Sequence, residues 1–147
     1  MTDAGREMTE RELVAWGEEF GRGLRPPVVI SLSGDLGAGK TTLTQAMCRG
    51  YGVRDEVTSP TFALVHVYDA PRSPVHHVDL YRLEGPRDLQ NIGWDDLLRS
   101  GSVLIVEWPE RAQSSVPHDA LGLELRFVEG DPTRRILVQR APAGATV

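Results

Sequence analysis

The chain holds one lysine among its sixteen lysines and arginines, and that lysine lies in Gly34-Asp35-Leu36-Gly37-Ala38-Gly39-Lys40-Thr41. This is a complete GxxxxGK[ST] phosphate-binding pattern. Each residue type has a chemical reason to be there. A compact ammonium fits among backbone N–H groups facing the β- and γ-phosphates, where a planar, forked guanidinium is a poorer fit. Gly34, Gly37 and Gly39 let the backbone approach an anion closely, and the helix that follows turns its amides and its dipole toward phosphate. The pattern therefore predicts nucleoside triphosphate binding.

A bound triphosphate calls for a divalent cation, and Mg²⁺ prefers oxygen ligands while keeping several waters. Thr41 offers a hydroxyl. Val103 to Val106 is an apolar run closed by Glu107, the arrangement that brings the second acidic group to the metal in P-loop enzymes, with Glu in place of the more frequent Asp. A solvated acid at a strand end would give the same pattern. Asp79 alternates with His77 and Tyr81 along one strand face and could orient water or metal, or pair locally with Arg82. Thr61, after Ser59-Pro60, could serve as a switch hydroxyl, since Pro60 stiffens the approach; turn chemistry explains it equally well. His66, His76, His77 and His118 do not make a zinc set, because the adjacent pair points to opposite faces of a strand.

These groups need elements to position them. Val28 to Ser33 reads as a buried strand running into the loop, and Thr41 to Arg49 as a helix with Leu43, Ala46 and Met47 on its inner face, stopped by Gly50 or Gly52. Upstream, Thr9-Glu10-Arg11-Glu12 has capping-box spacing, and Leu13, Trp16, Phe20 and Leu24 continue at helical intervals as core residues. Phe62 to Tyr68 and Val75 to Tyr81 form an expected antiparallel hairpin. Pro86 to Leu98 is helical but broken near Gly93, and Val103 to Val106 is apolar on both faces, as a strand covered on each side must be. Leu121 to Phe127 alternates, and Arg135 to Arg140 returns after the turn Glu129-Gly130-Asp131-Pro132. Together they predict an α/β fold, a P-loop NTPase-like domain with three layers around a mixed β-sheet.

With 147 residues and 40% hydrophobic composition, one domain over 1–147 is expected, with loose ends at 1–6 and 141–147. A net charge of −5 argues against a broad phosphate-neutralising surface and so against tight unaided binding to nucleic acid. Cys48 is the only cysteine, which excludes a disulfide framework and a cysteine metal set and reads as a core thiol. No apolar stretch approaches membrane-spanning length, so a soluble cytoplasmic protein is expected.

The loop, Ser59-Pro60-Thr61-Phe62, His77-Val78-Asp79-Leu80-Tyr81-Arg82 and Val106-Glu107-Trp108-Pro109-Glu110 occur in an order that closely resembles the bacterial TsaE (YjeE) family. The resemblance implies an ATPase required for threonylcarbamoylation of adenosine 37 in tRNAs that read ANN codons. It implies work on a TsaB and TsaD complex, with TsaC making the threonylcarbamoyl-adenylate, and no transfer by this chain itself. It places Leu36 to Thr41 at ATP, Thr41 and Glu107 at Mg²⁺, and Asp79 and Trp108 in the functional surface, joined by Thr42 and Thr61. The family's N-terminal segment approaches adenine, which brings in Glu10, although Leu13 stands where threonine is usual. A small-molecule kinase would need an acceptor pocket and an Arg-bearing lid, for which no long insertion is evident. A sensor that binds nucleotide without hydrolysing it stays open. Asn91 is the only asparagine, so no NKxD-like guanine reader is present.

Overall fold

The structure is a computed structural model, and it describes residues 5–57 and 65–140. Seven strands form one mixed sheet: β1 (Gly5–Thr9), β2 (Val28–Gly34), β3 (Val65–Tyr68), β4 (Val75–Asp79), β5 (Val103–Glu107), β6 (Leu121–Val128) and β7 (Asp131–Arg140). Their order across the sheet is β1-β7-β6-β2-β5-β4-β3. The inner strands β6, β2, β5 and β4 run parallel, while β3 on one side and β7 and β1 on the other are antiparallel additions.

Alternation along the strands builds two cores, one on each face. Ile30, Leu32, Val103, Ile105, Leu123 and Leu125 point to the face covered by helices α1 (Glu10–Arg22) and α2 (Lys40–Tyr51). Val78, Leu104 and Val106 point to the other, where they meet Leu89 and Trp94 from α3 (Pro86–Asn91) and α4 (Trp94–Leu98). Every residue of β5 is buried, as its two-sided apolar sequence demands. The result is the three-layer α/β arrangement expected.

Local chemistry explains the helix boundaries. Thr9 caps α1 and forms the full capping box with Glu12, whose side chain accepts from the Thr9 amide at 2.9 Å. Trp16 and Phe20 stack on each other at 4.8 Å against the core rather than facing a ligand. Gly93, with φ 75°, separates α3 from α4 where a break was expected. Helix α2 runs through Gly50 and stops at Gly52. Gly50 is there for close approach: a Cβ would lie 2.0 Å from the Glu18 carbonyl oxygen of α1.

Three expectations need correction. Gly5 and Arg6, read as part of a loose lead-in, belong to β1 and pair with Val138 and Leu137 of β7. This edge strand is mostly exposed and lacks an apolar period, so pairing with β7 creates it rather than local propensity. Strand β4 ends at Asp79, two residues early, because the Asp79 carboxylate takes the Tyr81 amide and turns the chain. Strand β7 begins at Asp131, since the turn is only Glu129-Gly130, with Gly130 at φ 80°. The start of the first hairpin strand, from Phe62 through residue 64, lies outside the described residues, as do 1–4, 58–61 and 141–147.

Candidate functional site

Strand β2 delivers Gly34 to the loop and α2 carries the chain away from Lys40, so the phosphate pattern occupies a strand-to-helix turn. Gly34, at φ 148°, leaves no room for a side chain: a Cβ would lie 2.7 Å from the Leu125 carbonyl oxygen. Ala38 is buried in the core and its amide bonds to the Asp35 carbonyl at 3.0 Å, which closes the turn. Leu36, at 66% exposed, stands out at the tip.

Lys40 is 6% exposed. Its Nζ donates to the Gly34 carbonyl and, at 3.1 Å, to the Asp35 carbonyl. Burial pulls its pKa below the ordinary lysine value, against the opposing pull of Glu107, Asp79, Glu110 and Asp35. The Trp108 ring lies 4.4 Å from the same Nζ and 4.9 Å from the Tyr81 ring. Trp108 has a left-handed backbone (φ 58°), a costly conformation for a bulky residue, and the following Pro109 further disfavours the right-handed helical alternative. The strand therefore turns sharply after Glu107 and swings the indole back over the lysine.

Glu107 is buried at 3% exposure, not a solvated acid at a strand end. Its Oε2 meets His77 Nε2. In the parallel β4/β5 register Asp79 lies directly beside Glu107. Burial raises the Asp79 pKa, and Glu107 adds to the rise, while the Tyr81 amide, His77 and Lys40 oppose it.

These groups share one cavity of about 340 Å³, lined by Leu36, Gly37, Gly39, Lys40, Thr41, Thr42, Asp79, Glu107 and Trp108. Among the described residues no cluster of three or more His, Cys, Asp or Glu could hold a metal by itself. The donor set nevertheless fits Mg²⁺, which takes one or two protein oxygens together with phosphate and water rather than an all-protein cage. Charge points the same way. A triphosphate alone would meet one lysine and the carboxylates of Asp79 and Glu107, whereas a phosphate carrying a divalent cation satisfies both signs.

Three nucleotide candidates, Glu10, Ala38 and Gly34, fall elsewhere. Glu10 lines a second cavity of about 610 Å³ with Thr9, Arg11, Leu13, Ala38, Pro132, Thr133 and Arg135, and Gly37, Gly39 and Thr42 border both cavities. Gly34 lines neither, and contributes its carbonyl to Lys40 and its close fit to Leu125. Thr61 lies outside the described residues.

Sequence reasoning missed two residues. His77 was set aside with the other histidines, although its place two residues before Asp79 on one strand face was the available signal. Arg135 had no local signal: its Nε donates to the Ala38 carbonyl at 3.0 Å and Nη2 to the Gly37 carbonyl at 3.3 Å, holding the loop from nearly a hundred residues away. Its guanidinium also lies 4.6 Å from the Phe127 ring.

Residues 8–136 match the family model for "Threonylcarbamoyl adenosine biosynthesis protein TsaE". The chain is 37% identical over 128 residues to a tRNA threonylcarbamoyladenosine biosynthesis protein TsaE of Treponema pallidum, covering 87% of this chain and 93% of that one. It is 42% identical over 120 residues to the protein of the same name in Streptomyces coelicolor, covering 78% and 79%. The crystal structure of Bacillus subtilis YdiB superposes with a TM-score of 0.73 at 26% identity, covering 95% of this chain and 88% of that one.

Proposed function

Because the chain belongs to the TsaE family of threonylcarbamoyladenosine biosynthesis proteins, we propose that it is a Mg²⁺-dependent ATPase serving threonylcarbamoylation of adenosine 37 in tRNAs that read ANN codons, activated by a TsaB and TsaD complex. One observation carries the reading: the strand-to-helix phosphate loop and the paired carboxylates of β4 and β5 meet at a single cavity. Loop amides hold the β- and γ-phosphates, and Lys40 exchanges its carbonyl partners for phosphate oxygen. Thr41 and Glu107 would hold Mg²⁺, which when bound would supply neutralisation of phosphate charge. Asp79 orients the attacking water and accepts its proton. The water oxygen bonds to the γ-phosphorus as the bond from phosphorus to the bridging oxygen breaks, leaving ADP and phosphate. Trp108 and exposed Leu36 line the cavity, and exposed Tyr81 packs on the Trp108 ring, a surface where a partner can exclude water and complete the site.

The test is phosphate release by the isolated chain, then with TsaB and TsaD, then with tRNA. Slow release alone and acceleration by the partner complex are expected. Transfer of the γ-phosphate to a small-molecule acceptor would replace this reading with a kinase, and nucleotide binding without release over many turnovers would replace it with a sensor.

A further inference from the structure

We propose that His77 is a positioning residue, which holds the Glu107 carboxylate in the orientation that serves the divalent cation; this rests on the reading of the phosphate cavity as a magnesium-nucleotide site. His77 is wholly buried, and its Nε2 meets Glu107 Oε2 inside the core. Only one oxygen of the carboxylate is used by this contact, and Glu107 itself lines the phosphate cavity. The second oxygen is the one left to face it.

Among the described residues His77 Nδ1 is buried without a partner. A proton there would leave an orphaned buried N–H, which native proteins rarely tolerate, whereas a bare ring nitrogen is the milder deficiency. With Nδ1 bare, the ring N–H lies on Nε2 and is directed at Glu107 Oε2. The donor is also fixed in place, because β4 and β5 are adjacent parallel strands and Tyr68 packs at 6.4 Å, tilted, against the imidazole.

A purely structural role is the competing explanation, and the energetics of burial count against it. An apolar pair would fill the same space without desolvating a carboxylate. What an apolar pair cannot do is present an oxygen of fixed direction to the cavity. Partners of this kind behind a metal-side ligand tune metal affinity, and their loss typically costs about 10- to 100-fold.

The experiment measures ADP affinity of the full chain by calorimetry, with Mg²⁺ and with EDTA; the ratio of the two affinities is the magnesium coupling. His77→Leu should lower the coupling about tenfold and leave affinity in EDTA unchanged. His77→Gln, whose amide can still donate to Oε2, should recover most of it. If His77 acts through Glu107, the double variant His77→Leu/Glu107→Gln should couple no worse than Glu107→Gln alone. That double variant also removes the buried charge with its partner, so it carries the test if His77→Leu does not fold. Unchanged coupling in a folded His77→Leu, or a further loss in the double variant, overturns the proposal alone. Absence of magnesium coupling in the unsubstituted chain overturns the cavity reading and the proposal with it.

Discussion

The two cavities that share the phosphate loop are built by different means. On one side, Lys40 and Glu107 are 6% and 3% exposed, and parallel-strand register fixes Asp79 beside Glu107. Each buried charge there has a named partner, so removing one strands another. On the other side, Glu10, Arg11, Pro132 and Thr133 are exposed ends of elements that meet only in the folded chain. Their polar groups have water as an alternative partner. Charge and register dominate the first side, shape the second, and the cost of a substitution should differ accordingly.

The largest effect should come from Lys40→Ala. It removes the only cation lining the phosphate cavity among the described residues, and partner-stimulated phosphate release should fall about 10²- to 10³-fold. The melting transition should be retained, because burial already disfavours the charged lysine. Lys40→Arg should not rescue, since a guanidinium does not fit between the Gly34 and Asp35 carbonyls beneath the Trp108 ring. Near-normal turnover by both variants would remove the distinction between the cavities.

Arg135 tests the wall between them. Its guanidinium holds the Gly37 and Ala38 carbonyls, and in a trans peptide the N–H lies opposite the C=O, so the Gly39 N–H points away from Arg135. Arg135→Ala should weaken nucleotide binding about tenfold, with or without Mg²⁺, given roughly 1.5–3 kcal/mol for a hydrogen bond to a charged group. Arg135→Lys should recover little, because one ammonium cannot span both carbonyls. A loss seen only with Mg²⁺ would assign Arg135 to the metal side.

What could be read from sequence follows the same division. The loop, the strand entering it and the acid ending β5 are local patterns, and the structure brings Lys40, Thr41, Asp79, Glu107 and Trp108 to one cavity. The Thr9 capping box and the break at Gly93 were legible for the same reason: the causative groups are near in sequence. Strand β1 was not, because five mostly exposed residues become a strand only when β7 lies beside them. The pairing of His77 with Glu107 joins residues on different strands, and the grip of Arg135 on the loop spans most of the chain. The alternation of His77 with Asp79 is a faint trace of the first, and the second leaves none. The left-handed backbone of Trp108 was equally hidden, as nothing about Trp-Pro announces a positive φ.

On the shape-dominated side, Glu10→Ala should change nucleotide affinity by less than about threefold, because an exposed carboxylate at the rim contributes little. A competition assay with ATP and GTP checks this. A change above tenfold would mean that Glu10 reads the base directly, and the second cavity would then rank with the first in polar specificity.

The smallest effect at neutral pH concerns the helix common to both cavities. Cys48 lies on α2 at 1% exposure, and burial pushes its thiol up to about 12. The native state therefore keeps this proton at pH values where an unfolded cysteine releases it. Below the unfolded value the group contributes no pH dependence. Above it the unfolded state binds fewer protons, so stability falls as pH rises, by at most about 1.4 kcal/mol per unit for one proton. Cys48→Ala should remove that component of the alkaline loss, seen in denaturant midpoints measured between pH 8 and pH 10, conditions set by roughly the ordinary thiol range. In the unsubstituted chain a thiol reagent at neutral pH should label Cys48 only through unfolding. Nucleotide with Mg²⁺ should slow that labelling by stabilising the native state, about 2.7 kcal/mol at a hundredfold excess over Kd. Labelling that is fast and indifferent to nucleotide would mean that α2 opens independently of the loop it begins from, and the two cavities would then lack the rigid shared wall on which their comparison rests.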